Sequence, residues 1–83
     1  MHRTTPHFWK RFDSLPNEVQ QLARKNFKLL KEDPRHPSLQ FKQIGDHWSA
    51  RVGLHYRVLA LKDGPDFVWV WIGPHAEYDK LIN

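Results

Sequence analysis

Arg51 and Arg57 lie inside two strand-like runs, Trp48-Ser49-Ala50-Arg51-Val52 and Tyr56-Arg57-Val58-Leu59-Ala60-Leu61. A third apolar run, Val68-Trp69-Val70-Trp71-Ile72, leads through Gly73-Pro74 to His75, with Tyr78 three residues on. A guanidinium in an apolar strand is costly to desolvate unless it has a partner, and its forked donors match a phosphate. An imidazole nearby adds a group that exchanges protons near neutral pH. Together these residues suit a surface that handles phosphate.

The elements that must position them can be read from periodicity. Thr5 before Pro6 forms an N-cap and first helical position, predicting a short helix through about Asp13. Leu15-Pro16-Asn17-Glu18 opens a second helix, whose apolar stripe is Val19, Leu22, Ala23, Phe27 and Leu30. Asp33-Pro34-Arg35-His36-Pro37 ends it. The period then changes to two, and Ser38–Ile44, His47–Val52, Tyr56–Lys62 and Phe67–Ile72 read as four strands with short connections, an antiparallel meander. Pro74 suits the start of a closing helical turn carrying His75 and Tyr78. The expected fold is α+β, with two N-terminal helices packed on one face of a four-stranded antiparallel sheet, as one domain over residues 1–83.

Strand parity then constrains the arginines. With a three-residue loop, Gly53-Leu54-His55, Val52 pairs with Tyr56 and Arg51 with Arg57. One face then presents Trp48, Ala50, Val52, Tyr56, Val58 and Ala60 to the helices, and the other presents Ser49, Arg51 and Arg57. A two-residue loop would split the arginines between faces and set Arg57 beside Trp48, which the apolar pattern disfavours. Like charges directly opposite are destabilising unless neutralised. Either a bound anion or one of Asp46, Asp66 and Glu77 has to supply the counter-charge.

Composition narrows the classes further. The 83 residues contain no cysteine, which removes disulfides, thiol nucleophiles and cysteine-ligated zinc. No apolar run approaches the roughly 20 residues of a membrane span, and the start has no signal-peptide core. A cytoplasmic location is therefore expected. The net charge of +4 is uneven, with nine Lys/Arg against five Asp/Glu in residues 1–46 and four against four afterwards. Long-range attraction of an acidic partner would come from the first half, and chemistry from the second. His2, His7 and His36 show no metal-ligand spacing and read as surface. Trp69, Trp71 and Phe67 read as one aromatic row on one face of the last strand.

The ordered set of two N-terminal helices, Pro-Ser-Leu-x-Phe-Lys, Trp-Ser-Ala-Arg-Val, Tyr-Arg-Val-Leu and Ile-Gly-Pro-His-Ala-Glu-Tyr-Asp-Lys-Leu resembles the RelE/ParE superfamily of toxins from type II toxin-antitoxin systems. The resemblance runs from about Phe8 to Ile82. It implies a cognate antitoxin as partner and no cofactor. In the RelE-like branch it implies ribosome-dependent cleavage of mRNA without a metal; in the ParE-like branch, inhibition of DNA gyrase. A catalytically inactive antitoxin-binding homologue is the third alternative.

Under the resemblance Arg51 and Arg57 match strand arginines that clamp phosphate. His75 takes the place of a proton-transfer group, and Tyr78 would stack a base or orient the phosphate. His47 and His55 are secondary candidates for proton transfer or RNA contact. Arg24, Lys28 and Lys31 on the second helix are candidates for gripping ribosomal RNA. Two departures stand out. Family members usually begin with a strand where Thr4 to Phe12 reads as helix, so a sheet lacking that strand is expected. Besides Glu77, no carboxylate is evident beside His75.

Overall fold

The computed structural model describes residues 1–82. The elements are β1 (His2–Thr4), α1 (Pro6–Asp13), α2 (Asn17–Glu32), β2 (Lys42–Ile44), β3 (His47–Val52), β4 (Tyr56–Asp63), β5 (Asp66–Pro74) and α3 (His75–Ile82). They build one sheet in the order β1-β5-β4-β3-β2. The meander from β2 to β5 is antiparallel as expected, but β1 joins its edge parallel to β5, with His2 opposite Phe67 and Thr4 opposite Trp69. The sheet is therefore mixed and five-stranded, and the strand expected to be missing is present. Three residues carry no readable period. Distant partners hold them instead: Arg3 pairs with Asp63 and Asp66, and the His2 ring stacks on Phe67 and Trp69.

Thr5 ends β1 and starts α1. Its hydroxyl accepts from the Phe8 amide and donates to the Trp69 carbonyl, each at 3.2 Å, so the cap also ties the helix to β5. Helices α1 and α2 cover one sheet face. There Phe12 and Ala23 pack with Val52 and Ile72, and Leu30 packs with Ala50, Ala60 and Trp69. The α2 stripe is only partly used, since Leu22 and Phe27 remain at the edge of solvent. Between the helical hairpin and the sheet lies a groove of about 380 Å³, lined by Phe8, Trp9, Phe12, Phe27, Leu30 and Trp69 among others.

The stretch Ser38–Ile44 is not one strand. His36 Nδ1 accepts from the Ser38 amide at 3.2 Å, Pro37–Leu39 form a 3-10 turn, and Gln40 adopts a left-handed φ of 44°. Leu39 is thereby plugged into the core and only Lys42–Ile44 pair with β3. At the other end, Pro74 closes β5 instead of opening a turn, and the closing segment is an eight-residue helix.

The β3–β4 register is the three-residue one, with Val52 opposite Tyr56 and Arg51 opposite Arg57. Gly53 makes it feasible: its φ is +64°, and a Cβ there would lie 2.7 Å from Leu22 Cδ2. The aromatic row of the last strand holds for Phe67 and Trp69, which pack in one cluster, and breaks before Trp71. Leu59 pairs with Trp71 and Ala60 with Trp69, so Val70 is an extra residue in a β-bulge. The bulge turns Trp69 toward α2 and Trp71 toward the opposite face, where it packs with Leu59 and Tyr78 under α3.

Candidate active site on the arginine face

β3 and β4 present Arg51 and Arg57 side by side on the face opposite α1 and α2. Both are anchored without a carboxylate. Arg51 Nε donates to the Gly53 carbonyl at 3.2 Å, and Arg57 donates to the Tyr56 carbonyl at 2.9 Å. Asn26 on α2 donates to the Arg51 carbonyl at 3.1 Å and so fixes this end of β3. Of the acids considered as counter-charges, Asp66 goes to the amino terminus and Arg3, and Glu77 goes to Arg11. Asp46 pairs with neither arginine, and among the described residues no acid lies within ion-pair distance of either. Burial first, and then the facing charge of Arg51, pull the Arg57 guanidinium below its ordinary pKa; the charges of Tyr78 and Asp79 oppose this. An anion placed on the pair would counter the repulsion between them.

α3 brings the titratable groups to this pair. Its first amide, that of His75, donates to the His55 carbonyl at 2.7 Å, tying the helix to the β3–β4 loop. His75 Nδ1 lies 3.1 Å from Asp79 Oδ2, one helical turn on, with both side chains half exposed. The contact is within ion-pair distance and sets a carboxylate beside the imidazole. Asp79 is the carboxylate beside His75, and it escaped the sequence reading because i,i+4 spacing counts only once the closing turn is known to be a helix.

Tyr78 is 5% exposed, and its hydroxyl donates to Ser49 Oγ at 2.9 Å, with Ser49 itself buried. The ring stands 6.0 Å from the Arg57 guanidinium and 6.1 Å from the His75 ring. A ring buried in this way cannot receive a base; it supports Arg57 and His75 from beneath. His47 shares the arginine face but begins β3, four residues or about 13 Å from Arg51 along the strand. The His55 side chain is exposed, and its carbonyl does the anchoring. Arg24, Lys28 and Lys31 are not on this face. They line the groove on the helix side, Arg24 lying over the Phe12 ring at 5.0 Å and Lys31 over Phe27 at 4.9 Å.

No family model matches the sequence, and no curated protein matches it. Solved structures do. The chain superposes on a RelB-RelE antitoxin-toxin complex from Methanococcus jannaschii with a TM-score of 0.74 at 13% identity, over 98% of this chain and 99% of that one. Against the RelBE2 toxin-antitoxin complex of Mycobacterium tuberculosis the TM-score is 0.67 at 20% identity, covering 90% and 96%. Isolated RelE toxin of E. coli gives 0.65 at 15%, covering 100% and 98%. The architecture is that of the RelE toxins. At these identities the likeness is one of fold.

Proposed function

We propose that the chain is the toxin of a type II toxin-antitoxin pair, acting in the cytoplasm as a ribosome-dependent endoribonuclease on mRNA. The observation that carries this reading is the Arg51–Arg57 pair, two facing arginines neither of which makes an ion pair among the described residues. His75 and Asp79 add the proton-transfer group that cleavage needs and that inhibition of gyrase does not. In the reaction His75 Nε2 takes the proton of a ribose 2′-hydroxyl, and the 2′-oxygen bonds to the adjacent phosphorus. Arg51 and Arg57 balance the charge that accumulates on the phosphorane. The bond from phosphorus to the 5′-oxygen then breaks, leaving a 2′,3′-cyclic phosphate and a 5′-hydroxyl that gains its proton from water. This scheme asks the protein for proton transfer and positive charge alone.

The helix side supports an antitoxin as partner. The groove there is apolar, Trp9 and Phe27 stand at its edge partly exposed, and Arg24, Lys28 and Lys31 border it. An acidic segment with an apolar face fits that combination. No helix among the described residues is long and apolar enough to cross a membrane.

Purified protein added to translating ribosomes should cut mRNA at defined codon positions, and Arg57→Ala should abolish cutting while the fold persists. Absence of codon-specific cuts at excess protein would remove the ribonuclease reading. Phe27→Glu should release the antitoxin without slowing cleavage.

A further inference from the structure

Arg11 starts on α1, on the far side of the sheet from the arginine pair, yet its guanidinium ends beside that pair. β1 follows β5 only as far as Trp69, which leaves the later part of the β5 edge without a strand. Arg11 crosses that edge, and its Nε donates to the Ile72 carbonyl at 2.9 Å. The guanidinium carbon then lies 4.9 Å from the centre of the Trp71 ring, on the arginine face. Gly73 opens the space for this. A Cβ there would stand 2.6 Å from Trp71 Cζ2 and 2.8 Å from Arg11 Nη2.

Gly73 is directly opposite Arg57, and Arg57 is directly opposite Arg51. Cations from α1, β4 and β3 therefore stand in one row across three adjacent strand positions, with strands about 4.8 Å apart. One terminal nitrogen of Arg11 lies 3.4 Å from Glu77 Oε2, and Glu77 is 55% exposed. A carboxylate and a phosphate present similar paired oxygens to a guanidinium fork, so a phosphate can displace Glu77 without moving Arg11.

We propose that Arg11, Arg57 and Arg51 bind consecutive backbone phosphates of a single-stranded polynucleotide, with Glu77 holding Arg11 in line until a phosphate displaces it. This rests on the reading of RNA as the substrate and extends it from one clamped phosphate to three. Arg11 is a binding residue in this scheme and takes no part in proton transfer.

The test uses an oligoribonucleotide that is 2′-O-methylated throughout, which binds but cannot be cut. Affinity is measured against salt concentration for the wild-type protein and variants whose amide spectra show them folded. Each of Arg11→Gln, Arg57→Gln and Arg51→Gln should lower the magnitude of the slope of log affinity on log salt by about 0.7, one single-strand phosphate contact each. Arg11→Lys, which keeps the charge, should keep the slope, and Glu77→Gln should tighten binding. A wild-type slope in Arg11→Gln, unchanged affinity in Glu77→Gln, or no binding by the wild-type protein would overturn the proposal. Normal slopes with no cutting of unmodified mRNA on ribosomes would instead sink the ribonuclease reading and leave the phosphate row standing. If Arg11→Gln does not fold, Arg11→Lys and Glu77→Gln decide the matter.

Discussion

Asp79 Oδ2 stands 3.1 Å from His75 Nδ1, one turn apart on α3. Under the proposed function Asp79 would hold the imidazole proton on Nδ1 and leave Nε2 to accept a proton from substrate. In the wild-type protein, 15N spectra should show His75 as the Nδ1–H form. Asp79→Asn should mix the two neutral forms and lower the cleavage rate by roughly 10-fold to 100-fold, less than the roughly 10²–10⁴-fold that a proton-transfer group itself supplies. A dominant Nε2–H form in the wild-type spectrum contradicts the assignment.

The facing arginines oppose folding when nothing is bound to them. Arg51→Gln should therefore raise stability by about 0.2–1 kcal/mol in urea titrations while abolishing cleavage. Sulfate or phosphate should stabilise the wild-type protein more than the variant, because an anion that binds only the folded pair shifts the unfolding equilibrium. Equal stabilisation of both would show that the pair is not the anion site.

The Tyr78 hydroxyl and Ser49 Oγ satisfy one another inside the sheet-α3 interface. Tyr78→Phe leaves the Ser49 hydroxyl buried without that partner, at a cost of about 1–3 kcal/mol. The double change Tyr78→Phe with Ser49→Ala should recover most of that loss. Failure of the double variant to recover it would mean that the cost arises elsewhere in α3.

His2 gives stability a pH dependence of known sign. Its Nδ1 accepts from Trp69 Nε1 at 3.0 Å, which requires the neutral ring. Burial first, then the charges of the amino terminus, Lys31 and Lys62, lower its pKa below the ordinary 6.5. With the folded value depressed, the unfolded chain binds the extra proton between the two values. The contribution is complete above pH 6.5 and disappears as pH falls through the folded value. Urea midpoints of the wild-type protein should fall on acidification across that window, and those of His2→Gln should fall less.

Gly53→Ala probes the loop that sets the arginine register. A side chain there needs a positive φ and meets Leu22, so a loss of about 1–3 kcal/mol is expected, with cleavage reduced if Arg51 and Arg57 lose their alignment. Unchanged stability would show that the loop can adopt another form.

What the sequence made legible, it did through period and loop length. The parity of Trp48, Ala50 and Val52 against Tyr56, Val58 and Ala60 is enough to place Arg51 opposite Arg57, because a slip of one residue would move Arg57 to the helix-covered face beside Trp48. Arg11 left no such trace: it stands on the other layer, and only the free edge of β5 and the vacancy above Gly73 bring it across. The separation of Trp69 from Trp71 was equally hidden, since the alternation continues through Val70 in the letters and breaks only in the backbone. β1 was missed for want of length. Asp79 was missed because the closing segment was taken for a turn.

The parallel pairing of β1 with β5 joins the first strand in chain order to the last. Such pairing cannot form early, since the partner strand has not yet been made when β1 leaves the ribosome. His75 and Asp79 are synthesised later still, and Arg11 has no Ile72 carbonyl to cross to until β5 exists. A nascent chain that ends before β5 therefore has neither His75 nor the Arg11–Ile72 contact beside the arginine pair. Under the proposed function, the arginine row and the histidine beside it can assemble only after β5 and α3 have been made, and that delay is written into strand order.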